Sequence, residues 1–129
     1  MTTKLWLVLK KLALPLVVVY VIALTVASLM RLTDVPSFGS SFDDKIYHLV
    51  AYFMFTLLVF NYLSSKHIKK AILVSVVLTI CYGIIIEVLQ YALTTHRSFD
   101  GFDVIANSLG AMLAAITLRI VVKSKIKMN

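Results

Sequence analysis

Three stretches of the sequence hold side chains able to bind ions or move protons: Asp44, Lys45 and His48; Glu87 and Gln90; and Arg97, Asp100, Asp103 and Asn107. Imidazole and carboxylate are the usual general acids and bases, while arginine and lysine hold phosphates and steady developing negative charge. Asp44 and His48 are four apart, Glu87 stands three and four before Gln90 and Tyr91, and Asp103 is four before Asn107. On helices, each stretch therefore presents one polar stripe. His48, Glu87, Arg97 and Asp103 are the catalytic candidates, and Asp44, Lys45, Gln90 and Asn107 are the candidates for substrate binding. A metal site would draw on His48, Glu87 and a carboxylate from Asp44 or Asp103, a mixed set suited to Zn²⁺ or Mn²⁺. One histidine among scattered carboxylates lacks the spacing of a dedicated metal motif, so neither metal nor cofactor is expected.

Other reactive residues offer less. Cys81 is the single cysteine, which excludes an internal disulfide or a cysteine metal cluster, and its place inside an apolar run leads us to expect a small buried residue. His67 and His96 stand beside loops, and Tyr47, Tyr52, Tyr62, Tyr91 and Phe102 are expected in an interfacial aromatic belt.

The elements that must position these residues are membrane-spanning helices. The chain has 129 residues, is 60% hydrophobic and 15% charged, and has a mean hydropathy of +0.94, which excludes a soluble globular core in a polar shell. The expected fold is all-α: one domain over residues 1–129, a four-helix transmembrane bundle. Its spans are residues 12–30, 46–65, 71–95 and 104–122, each near the ~20 residues that cross a hydrocarbon core. Pro15 falls near the start of the first span, where a missing N–H costs little, so no break is expected there. A cleaved signal peptide ending near Val26-Ala27-Ser28 is the competing reading, but the apolar run is longer than the ~7–15 residues of such a segment.

Charge sets the orientation. Lys4, Lys10 and Lys11, then Lys66, Lys69 and Lys70, then Arg119, Lys123, Lys125 and Lys127 flank the spans on one side. The other side carries Arg31, Lys45 and Arg97 against Asp34, Asp43, Asp44, Asp100 and Asp103. The positive-inside rule then places both termini in the cytoplasm and the candidate residues at the outer leaflet. Because the basic residues flank apolar runs and form no stripe with aromatics, the net charge of +7 does not indicate nucleic-acid binding. Phe38 and Phe42, in the long loop of residues 31–45, are expected at the membrane surface. Small residues mark packing seams: Ser75, Thr79 and Gly83 continue the Glu87 stripe, and Ala106, Gly110 and Ala114 repeat every four residues, a pairing that would hold Glu87 near Asn107.

The order Asp44-Lys45-x-x-His48, Glu87-x-x-Gln90, Arg97-Ser98-Phe99-Asp100-x-x-Asp103-x-x-x-Asn107-x-x-Gly110 resembles the VanZ-like family of bacterial membrane proteins, over about residues 43–115. Where relatives commonly have a Pro-Gly turn before the arginine, this chain has Thr94-Thr95-His96. The family is named for a protein conferring low-level resistance to the glycopeptide teicoplanin. The resemblance thus implies a multi-pass protein of the bacterial cytoplasmic membrane acting in the cell envelope.

Three functions are compatible with these residues. A binding site would grip an anionic lipid or a lipid-linked cell-wall precursor through Arg97 and Lys45, with Glu87, Gln90, Asp103 and Asn107 positioning them. A membrane-embedded enzyme would use His48 or Glu87 as base and Arg97 as charge stabiliser on a phosphoryl or acyl group, although Ser98 lacks an elbow motif and no HExxH sequence is present. A proton or solute path along Glu87, Gly83, Thr79 and Ser75 is disfavoured by the uncharged inner half. Membrane lipids are the expected partners, and a homo-oligomer is open.

Overall fold

The computed structural model describes residues 2–30, 42–95 and 98–129, which form five helices and no strand. They are α1 (Thr2–Lys11), α2 (Ala13–Leu29), α3 (Asp43–Ser65), α4 (Ala71–Leu93) and α5 (Gly101–Met128). Helices α3, α4 and α5 are long and apolar enough to cross a membrane; α1 and α2 meet at a 62° bend and add a fourth crossing if the pair is one broken span. The all-α expectation holds. Phe38 and the loop around it, like His96 and Arg97, lie outside the described residues.

Pro15 leaves its span unbroken, as expected: α2 runs without a break from Ala13 to Leu29, and the 62° bend lies ahead of it, at Leu12. A proline has no N–H to donate, and its ring crowds the carbonyl four residues earlier, here that of Lys11. The chain turns at Leu12, between those two positions. Pro15 itself fits inside the first turn of α2, where that donor has no helical acceptor anyway.

Within lipid, helices gain little from hiding apolar surface, so close approach and interhelical hydrogen bonds hold the bundle. Gly110 shows the first: a Cβ there would lie 2.2 Å from the Leu49 carbonyl oxygen and 3.0 Å from the Phe53 nitrogen, so only glycine lets α5 meet α3 backbone to backbone. Gly110 thus faces α3, while Gly83 on α4 lies beside the side chains of Tyr52 and Asn107. The expected pairing of the two seams with each other is seen only at Gly83, which borders Asn107 of α5, whereas Gly110 packs on α3.

The core is aromatic. Tyr52, Phe55 and Val59 of α3 are buried against Tyr20 and Leu24 of α2 and Tyr82 of α4. The Tyr20 hydroxyl donates to the Ala51 carbonyl (2.5 Å), Thr25 and Tyr82 share a hydrogen bond of 2.6 Å, and Thr56 and Thr79 share one of 2.9 Å. These bonds tie α2, α3 and α4 to one another. Tyr52 is therefore a core residue and not the belt residue expected, because its ring packs into the space that Gly83 leaves. Cys81 is likewise exposed, on an outer face of α4, since the buried face of that helix is taken by Ser75, Thr79, Gly83, Glu87 and Gln90.

Candidate functional site

The site begins with the start of α5. Asp100 caps that helix by accepting from the Phe102 N–H at 2.9 Å, satisfying one of the donors that a helix N-terminus leaves open. Asp103, one turn in, is buried. Asp43 of α3 and Asp103 occupy first turns, where a carboxylate meets the positive end of the helix dipole.

Lys45, near the start of α3, joins the two helices. Its Nζ donates to Asp100 Oδ2 at 2.6 Å and to Asp103 Oδ1, with Asp44 Oδ2 3.3 Å away. One ammonium thus holds three carboxylates, and the cluster keeps an excess of negative charge. The Lys45 hydrogen bond holds the Asp100 carboxyl below the ordinary carboxylate range, with help from the Phe102 N–H.

His48 stands one turn further along α3, on the same face as Asp44. Its Nδ1 is 2.9 Å from Asn107 Oδ1 of α5. With the amide oxygen toward the ring, Nδ1 carries the proton and donates. Nε2 faces Asp103 Oδ2 at 3.6 Å and Asp44 Oδ1 at 3.7 Å, beyond hydrogen-bond length, so the ring is oriented from one side and uncommitted on the other. The imidazole side chain is 14% exposed.

Behind it lies a polar floor between α3, α4 and α5. Glu87 is 1% exposed, one turn along α4 from Gly83, whose Cα faces Asn107 and Tyr52. Asn107 Nδ2 and the Tyr52 hydroxyl are buried with no hydrogen-bond partner among the described residues. Gln90 is buried as well, and its Nε2 donates to the Ser28 carbonyl at 2.6 Å, fastening α4 to the end of α2.

Of the sequence-derived residues, Asp44, Lys45, His48, Asp103 and Asn107 thus form one connected group. Glu87 and Gln90 face the interior alongside it, and Arg97 lies outside the described residues. Lys45 and His48 both turn to residues at the start of α5. The role of Asp100 as a Lys45 partner is hinted at in the sequence only by its place three residues before Asp103. The atoms best placed for a cation are on Asp44, His48 and Asp103, each offering one ligand atom within 4.8 Å of the others. Lys45 shares two of those carboxylates and competes for them.

The chain matches the family model described as VanZ/LLP1 over residues 13–122. It is 28% identical over 81 residues to an uncharacterized protein, C11E3.10, of Schizosaccharomyces pombe (strain 972 / ATCC 24843), which covers 63% of this chain and 49% of that protein. The chain therefore spans about half the length of that curated relative. No solved structure matches.

Proposed function

We propose, from the premise that this chain belongs to the VanZ/LLP1 family, that it is a multi-pass membrane protein of the cell envelope whose polar cluster binds the head of an anionic lipid or a lipid-linked cell-wall precursor, and that this binding underlies glycopeptide resistance of the teicoplanin type. The observation that carries the proposal is the pair of buried donors behind His48. An unpartnered buried donor costs about 1–3 kcal/mol, and Asn107 Nδ2 and the Tyr52 hydroxyl lie together on one floor. Two such donors suit the oxygens of a polar head entering past His48. Lys45 is engaged by three carboxylates, so we assign the phosphate to Arg97 and leave the carboxylates and imidazole to accept hydroxyl or amide protons from the head. Both termini lie in the cytoplasm on this proposal, with the cluster at the outer headgroups.

His48 favours a second reading, as an enzyme acting on a phosphoryl or acyl group of such a lipid. A ring whose Nδ1 is held by an amide oxygen and whose Nε2 is uncommitted has the arrangement of a general base with its orienting partner.

Full-length protein in nanodiscs, titrated with an undecaprenyl-linked precursor and assayed for its breakdown, separates the two. Binding that weakens in Arg97→Gln and Asn107→Leu, with no turnover, supports the binding function. Turnover that disappears in His48→Gln at unchanged affinity supports the enzyme. Affinity equal to wild type in Arg97→Gln and Asn107→Leu would rule out the site. Teicoplanin sensitivity of cells expressing the same variants, scored with protein abundance, tests the link to resistance.

A further inference from the structure

At the other end of α3 the bundle has a cleft of about 320 Å³, lined by Lys10, Lys11, Ala13, Leu14, Tyr62, Ser65 and Lys66. Its walls come from the end of α1, the first turn of α2 and the last turn of α3, so the 62° bend at Leu12 creates it. Three lysines line this space. Among the described residues every ion pair involves Lys45 or His48, so no carboxylate neutralises Lys10, Lys11 or Lys66.

Aromatic faces stand beside Lys10 and Lys66 where acids would be expected. Lys10 Nζ lies 3.6 Å from the Trp6 ring centroid, Lys125 of α5 approaches the same ring at 5.6 Å, and Lys66 lies 6.0 Å from the Tyr62 ring. Like charges gathered in this way repel one another unless an anion joins them. The depth indicates which anion. Lys66 lies 21 residues beyond Lys45 on α3, a rise of about 30 Å, which matches a hydrocarbon core. The cleft therefore opens at headgroup level in the leaflet opposite the polar cluster. Helix α1, bent away from α2 and carrying exposed Leu5, Trp6, Val8 and Leu9 beside its lysines, has the composition of a helix lying in that interface.

We propose that this cleft binds the phosphate of an anionic phospholipid, with Lys10, Lys11 and Lys66 donating to its oxygens and the acyl chains running past Leu14. The site is independent of the polar cluster, so neither stands or falls with the other.

The test uses the full chain extracted into detergent and offered mixed vesicles of phosphatidylglycerol and phosphatidylcholine, with retained lipid read by native mass spectrometry. Lys10→Gln/Lys11→Gln/Lys66→Gln should lose phosphatidylglycerol about tenfold more than Lys4→Gln/Lys123→Gln/Lys127→Gln, which removes equal charge outside the cleft. The matching arginine triple at positions 10, 11 and 66 should retain the lipid. Equal loss in both glutamine triples would mean diffuse surface charge and overturn the site, as would no loss in either. Stabilisation by inorganic phosphate equal to that by the lipid would overturn the assignment to a phospholipid. If the cleft triple fails to accumulate, Lys10→Gln and Lys66→Gln are tested singly; wild-type retention in both overturns the proposal.

Discussion

Lys45 shows how differently three carboxylates behave around one ammonium. The Asp103 side chain is 6% exposed and that of Asp44 is 53% exposed, so water replaces the contact at Asp44 but not at Asp103. Asp103→Asn should destabilise the bundle by about 1–3 kcal/mol, and Asp44→Asn by less than about 0.5 kcal/mol; unfolding of the detergent-solubilised variants measures both. Acid adds a second test. The Asp100 carboxyl is held below its ordinary value of 3.8, so the fold resists its protonation. Stability from this pair is complete above that ordinary value and is lost as pH falls through the lower folded one. The unfolding temperature should fall on the acid side below about pH 4, and in Lys45→Met this fall should shrink, because the cation that holds the carboxyl down is gone.

Between helices, the decisive contacts are the ones that glycine permits. A methyl group at position 110 would meet the backbone of α3 at 2.2 Å, and backbone within a helix cannot swing aside as a flexible side chain can. Gly110→Ala should push α5 from α3 and cost about 1–3 kcal/mol. Gly101 supplies the control: nothing lies within 4 Å of a Cβ there, so Gly101→Ala should unfold at or above the wild-type temperature. At position 83 the added methyl would meet Tyr52 and Asn107 at 3.0 and 3.1 Å, side chains with some room to give, and the first effect would fall on the orientation of Asn107. The helices thus set the distance from which α5 presents Asn107 and Asp103 to α3.

Across the whole molecule, polar groups are gathered at one end of an apolar bundle and lysines at the other. If α1 and α2 form one broken span, the chain crosses four times and its termini share a side. Cysteines introduced at Thr3 and Asn129 of a Cys81→Ser background should then react with an impermeant maleimide only after the cells are opened. Labelling of one terminus in intact cells would leave three crossings, with α1 and α2 lying outside the count.

The sequence by itself determined the helices and the choice of residues. Runs without charge have to become helices in lipid because every backbone amide needs a partner within its own segment, and the resulting α3, α4 and α5 are close to the spans read from composition. Polar residues spaced by three or four put Asp44 with His48 and Asp103 with Asn107, since that spacing is one helical turn. The pairing between helices was beyond such reading. That Lys45 reaches Asp100 and Asp103 and that Tyr52 lies in the core depend on which helix stands beside which and at what distance. Periodicity along one helix assigns each side chain to a face, whereas the neighbour on that face is fixed only when Gly110 and Gly83 let the helices close, and this is a property of the assembled bundle.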